Sequence, residues 1–153
     1  HSFFTGTCKL DLLVEECDNI EVKIMSRWKA KELGVPVIMH TSDRGMVDIE
    51  RFDHNPDYEI LHGRLKNNSF DLRNTEQISK NKNTLLSQII DPEKLSEEMK
   101  ISLPQIGKKI NSWPQLASDV LSGSGTTTKL SRQILLTQSV PSGRYYFDYN
   151  TAS

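Results

Sequence analysis

Residues 10–40 constrain the fold most. The run LDLLVEEC (10–17) is apolar at Leu10, Leu12, Leu13 and Val14 and turns polar only at its end. Such a run predicts a strand covered on both faces, as in a parallel sheet. DNIEVKIMSRWKAKELG follows, with Asp18 placed as a helix cap and Glu21 three positions on, the spacing of a capping box. Ile20, Ile24 and Trp28 recur every four residues, and Gly34 stands where a left-handed C-terminal stop belongs. VPVIMHTS then predicts a second short apolar strand. Strand, helix and strand within about 33 residues make a βαβ unit.

The rest of the chain is weaker in signal. Met46, Val47, Ile49 and Phe52 predict one irregular strand or two, followed by turn residues at Asn55-Pro56. Residues 66–83 are polar and predict a surface loop or an exposed helix beginning at Asn74 or Thr75, and LLSQIID then runs to Pro92. Leu95, Met99, Leu103, Ile106 and Ile110 have the spacing of an amphipathic helix over 93–110, which Pro104 either kinks or splits. SWPQLASDVLSG predicts a short helix capped by Ser112, with Pro114 in its first turn and Gly123 at its end; TTTKLSRQILLTQ predicts another. SGRYYFDY at the end alternates like a strand and carries Tyr145, Tyr146 and Tyr149. Two parallel strands do not make a covered sheet on their own. The pattern therefore predicts an α/β chain that belongs to a larger domain or pairs with another chain.

Composition narrows the function. A length of 153 residues fits one domain, and a net charge of −1 argues against a nucleic-acid footprint. No apolar run approaches the roughly 20 residues of a membrane span. No basic region precedes an apolar stretch at the N-terminal end, so no signal peptide is expected. Cys8 and Cys17 read as reduced thiols, and a cytoplasmic setting follows. No CxxC pair or HxxxH spacing offers a structural zinc site.

The carboxyl end of a parallel strand, ahead of a helix, is where α/β proteins place ligands. Asp18 stands there. A carboxylate at that position either caps the helix or holds a Mg²⁺ that in turn binds phosphate. Cys17 is surrounded by Glu15, Glu16 and Asp18, whose charge disfavours a thiolate, and reads as a buried structural cysteine. TSDRG (41–45) would share a rim with Asp18, as a phosphate or carboxylate contact or as a plain polar turn. His40, His54 and His62 match no metal motif. SGSGTTT (122–128) resembles a phosphate loop but lacks the lysine-serine pair, and predicts a close helix–helix connection instead.

DLLVEECDNIEVKIMSRWKAKELGVPVI resembles the second half of the nucleotide-binding domain in the ThiF/MoeB/HesA family, the ubiquitin-activating-enzyme-like adenylyltransferases. Glu15 stands at the first acidic position of the family's strand end, Asp18 and Asn19 match its Asp-Asn pair, Lys23 replaces its arginine, and Leu33-Gly34-Val35-Pro36 matches its approach to the next strand. SWPQLASDV and SGRYYFD resemble a bacterial branch in which such a module can precede a nitroreductase-like domain. The resemblance implies a partial Rossmann-like parallel sheet followed by a helical segment. Residues 1–65 would be the second half of the nucleotide-binding domain, and 66–153 its mostly helical C-terminal portion with a short terminal strand. It implies ATP and Mg²⁺ as cofactors, with Asp18 as the catalytic and magnesium-holding residue and Asn19 and Lys23 beside the nucleotide. The implied reaction adenylates the C-terminal carboxylate of a ubiquitin-like or sulfur-carrier protein, in an enzyme that is often a homodimer. The family's glycine-rich ATP loop precedes this strand and is not in the chain, and neither is a cysteine after residue 17 for a thioester. The chain alone is therefore expected not to bind ATP usefully. A non-catalytic module that binds a protein or a nucleotide is the alternative, and a dehydrogenase-type dinucleotide half ranks after it.

Overall fold

The computed structural model describes residues 9–66 and 69–147. The predicted strand–helix–strand unit is present: β1 (Leu13–Val14), α1 (Ile20–Leu33) and β2 (Val37–His40). β1 and β2 run parallel, with Leu13 opposite Val37 and Val14 opposite Ile38. Two details of the helix ends differ in outcome. Gly34 closes α1 as expected, at φ 63°, its N–H reaching the Ala30 and Lys31 carbonyls. The N-terminal cap is Asn19 and not Asp18: the Asn19 side chain accepts the Val22 N–H at 3.0 Å. The capping box from Asp18 to Glu21 is therefore not formed, because α1 begins one residue later than its spacing requires. β1 is also shorter than LDLLVEEC suggested. It forms one edge of the sheet, and Val14 is 49% exposed.

The sheet is mixed. β3 (Val47–Glu50) pairs antiparallel with β2, and β4 (Gly143–Tyr145) pairs antiparallel with β3, in the order β1-β2-β3-β4. The parallel expectation thus holds for β1 and β2 alone. The reason lies in the connection: residues 41–46 between β2 and β3 form a tight turn, and a parallel crossover needs a dozen residues or more. The sheet separates two apolar clusters. Leu13 and Val37 face Ile20, Ile24, Phe52, Ile78 and Leu85 on one side. Leu12, Ile38, Val47 and Ile49 face Leu130, Ile134 and Val140 on the other. Consecutive residues going to opposite faces is the two-residue period of a strand. The molecule is a mixed α/β structure of helix, sheet and helix layers.

The later helices depart from their predicted extents. α2 (Thr75–Lys80) starts at the expected place, capped by Asn74, and α3 (Lys82–Ile89) follows after Asn81. The predicted helix over 93–110 is not continuous. α4 spans only Glu97–Ser102, capped by Ser96, and gives way to a 3-10 turn at Leu103–Gln105. Pro104 lacks the N–H an α-helix would use there. The two helices expected on either side of SGSG are one: α5 runs unbroken over Ala117–Leu135. Ser112 and Pro114 therefore lie upstream of it and not in its first turn. Two glycines inside a helix cost about 1 kcal/mol each in propensity. Tertiary packing overrides this, because α5 lies so close to β2 that a Cβ on Gly123 would stand 2.7 Å from His40 Cδ2. Tyr149 and Cys8 fall outside the described residues. No helix among the described residues is long and apolar enough to cross a membrane.

Candidate functional site

A cleft of about 550 Å³ opens at the carboxyl ends of β1 and β2. Glu16, Cys17 and Asp18 line it from the first strand–helix turn, Lys23 from α1, His40 from the end of β2, and Thr41, Ser42, Asp43 and Met46 from the β2–β3 turn. The far wall is mixed: Leu86, Ile89 and Ile90 of the α3 region and Trp113 stand beside the charged Lys82, Asp91, Lys94 and Arg144. The expected shared rim of Asp18 and the TSDRG turn is thus formed. Arg44, by contrast, turns aside, donating to the Lys94 carbonyl at 2.9 Å and stacking 5.2 Å from the Tyr146 ring. Thr41 and Ser42 hydroxyls donate to the Asp43 and Pro114 carbonyls.

The three residues implied for nucleotide and metal have different local roles. Asp18 is exposed on the cleft and has no hydrogen bond or ion pair among the described residues. Asn19 spends its amide oxygen on the helix cap. Lys23 reaches the cleft, but its ammonium is held 2.8 Å from Glu15 Oε2. Among the described residues no group of three His, Cys, Asp or Glu side chains could hold a metal ion. Cys17 is a half-buried free thiol, its backbone N–H donating to Glu15 Oε1 at 2.8 Å.

Beneath the cleft lies an ionic layer that the sequence reading did not single out. Arg27, fully buried on the inner face of α1, donates to Glu15 Oε2 at 2.5 Å and to Glu50 Oε2 at 2.6 Å. Glu50 Oε1 also accepts the Leu61 N–H at 2.6 Å. Burial pushes the Glu15 carboxyl up, but Arg27 and Lys23 outweigh it and hold it below the ordinary range. At Glu50 burial wins and its carboxyl stays raised despite Arg27. Burial likewise pushes Asp48 up, and His62 and Arg144 overcome it, holding the carboxyl far below its ordinary value. Arg144 donates to both Asp48 oxygens, at 3.2 and 2.7 Å, and His62 Nε2 bonds Asp48 Oδ1. One signal was available: Arg27 falls between Ile24 and Ala30 on the apolar face of α1, where a charge demands buried partners.

The three histidines do not meet. His62 joins Asp48 and Tyr58, and His54 lies with Arg51 and Asp53. His40 is held by Glu16, whose Oε1 accepts its backbone N–H at 3.0 Å and lies 2.9 Å from its Nδ1. Its other ring nitrogen, Nε2, stands 3.5 Å from Ser124 Oγ on α5.

No family model and no solved structure matches the chain. The chain is 37% identical over 143 residues to an uncharacterized protein of Mycobacterium tuberculosis. The match covers 94% of this chain but only 20% of that protein, so the chain spans a fifth of the length of the curated relative it matches.

Proposed function

We propose that the chain is the second half of a Rossmann-like nucleotide-binding domain of the ThiF/MoeB/HesA kind, working as part of an ATP-dependent adenylyltransferase. The observation that carries this reading is Asp18, a carboxylate without a partner among the described residues, on the cleft at the carboxyl end of a parallel strand pair. Magnesium takes one or two protein carboxylates and completes its shell with phosphate oxygens and water. A lone Asp18 fits that role, and a full protein cage is not required. The ion, when bound, neutralises phosphate charge. Asp18 would fix its place, Lys23 adds a cation held in position by Glu15, and Leu86, Ile89 and Trp113 offer apolar surface beside the reacting carboxylate. The acyl substrate in this reading is the C-terminal carboxylate of a ubiquitin-like or sulfur-carrier protein. Among the described residues β1 pairs only with β2, which leaves its outer edge for a further strand from a glycine-rich half, or for a second copy in a homodimer.

The test is ATP–pyrophosphate exchange in the native polypeptide that contains this chain. Asp18→Ala should lower exchange by roughly 100-fold with the unfolding midpoint unchanged. Exchange that survives the substitution would sink the role of Asp18; exchange by residues 1–153 alone would sink the need for a second half. The non-catalytic alternative draws on Asn19 and Lys23, whose polar groups are engaged within the chain. It predicts binding of nucleotide or carrier protein with no exchange.

A further inference from the structure

We propose that Ser124 is an acyl acceptor, with His40 as its general base and Glu16 as the residue that orients His40. The three form a hydrogen-bonded series from α5 to the β1–α1 turn: Ser124 Oγ to His40 Nε2 at 3.5 Å, and His40 Nδ1 to Glu16 Oε1 at 2.9 Å. An ionised carboxylate only accepts, so Nδ1 carries the ring proton and Nε2 presents its lone pair to the serine. Glu16 also holds the His40 backbone N–H, at 3.0 Å, so one oxygen anchors both strand and ring. The flanking glycines make the approach. Gly123 has no room for a Cβ against His40, whereas nothing lies within 4 Å of where a Cβ on Gly125 would point, leaving the space beside Ser124 open. A phosphate loop would use SGSG for its backbone; this arrangement uses it to bring a hydroxyl to a base.

Ser124 sits inside α5, where the backbone N–H groups are committed to the helix and none forms an oxyanion hole. The series therefore suits one transfer from an already activated donor rather than rapid hydrolysis of a stable ester. An acyl adenylate is such a donor, a point that rests on the adenylyltransferase reading. Ser124 Oγ bonds the acyl carbon, the carbon–oxygen bond to the phosphate breaks, AMP leaves, and the hydroxyl proton passes to His40 Nε2. The product is an oxyester on a chain that has no cysteine after residue 17.

Labelling by a fluorophosphonate tests the nucleophile without nucleotide: the serine oxygen bonds phosphorus and fluoride departs. The full chain is treated, and the labelled peptide and its rate are read by mass spectrometry. Ser118, exposed on the same helix without a histidine, is the internal reference. Ser124 should label roughly 100-fold faster than Ser118, and His40→Gln and Glu16→Gln should each remove most of that advantage. Glu16→Gln lies at the surface and keeps the fold assayable if His40→Gln does not. Labelling of Ser124 no faster than Ser118, or a rate unchanged by Glu16→Gln, overturns the proposal. Because ATP is not involved, the result stands whether or not pyrophosphate exchange is found.

Discussion

Replacing Arg27 with methionine should be among the most damaging single changes in the chain. Methionine retains much of the aliphatic volume but removes the guanidinium that Glu15 and Glu50 share at 2.5 and 2.6 Å. Glu15 keeps Lys23 at 2.8 Å. Glu50, only 1% exposed, keeps just the Leu61 N–H, so the loss concentrates there. Removing one partner of a buried ion pair costs about 3–5 kcal/mol. With a urea dependence near 2 kcal/mol per molar, the unfolding midpoint should fall by about 2 M. The deficit should also depend on pH. In the native protein the raised Glu50 value weakens the fold as pH climbs from 4.5 through its folded value, and the variant raises that value further. The lowered Glu15 value has the opposite sign: its contribution is present above 4.5 and lost as pH falls through the folded value, and the variant has less of it to lose. Both effects narrow the gap between native and variant on acidification, the Glu50 effect above 4.5 and the Glu15 effect only below it, so between about pH 8 and about pH 5 the Glu50 effect alone is read. Urea melts followed by circular dichroism between about pH 8 and about pH 5 measure this directly. Adding Glu50→Gln to the variant should restore most of the loss at the higher pH, since a neutral amide needs no cation. A deficit below about 1 kcal/mol, or one that is the same at both pH values, would refute the reasoning.

Arg144→Gln removes both guanidinium bonds to Asp48 and should destabilise by about 2–3 kcal/mol at neutral pH. Asp48 has a depressed value, so its contribution is present above 3.8 and lost as pH falls through the folded value; the variant's deficit should therefore close below 3.8, as acid-range urea melts would show. A pH-independent deficit would count against the pair. At the head of α1, Asn19→Ala should cost about 1 kcal/mol while Asp18→Ala stays within about 0.5 kcal/mol, because only Asn19 caps the helix. Equal losses in thermal or urea melts would return the cap to Asp18.

The βαβ unit was legible because its signals are local. Apolar runs, a four-residue period and Gly34 act within a few residues of themselves, and the helix they predict is present to its last residue. The rim shared by Asp18 and the TSDRG turn followed from the same unit, since both are at the carboxyl ends of its strands. The misassigned cap shows the resolution of such signals: Asp18 and Asn19 are equally good capping residues, and only the point where the chain leaves β1 chooses between them. SGSG misled for a different reason. Glycines inside a helix are unfavourable locally, and what repays them is the close approach of α5 to His40, some 84 positions away in the chain.

By itself the sequence determined an α/β chain with a parallel strand pair around α1 and a polar rim at Asp18, because periodicity and turn chemistry are short-range properties. Tertiary structure decided the rest. The antiparallel strands β3 and β4 joined the sheet through long-range pairing, with β4 arriving from the far end of the chain. Arg27 found Glu15 and Glu50, and Asp48 found His62 and Arg144, because a charge on an apolar face is stable only where folding delivers its counter-charge. The same step sorted the carboxylates: Glu15, Asp48 and Glu50 took buried cationic partners, and Asp18, without a partner among the described residues, was left to the cleft.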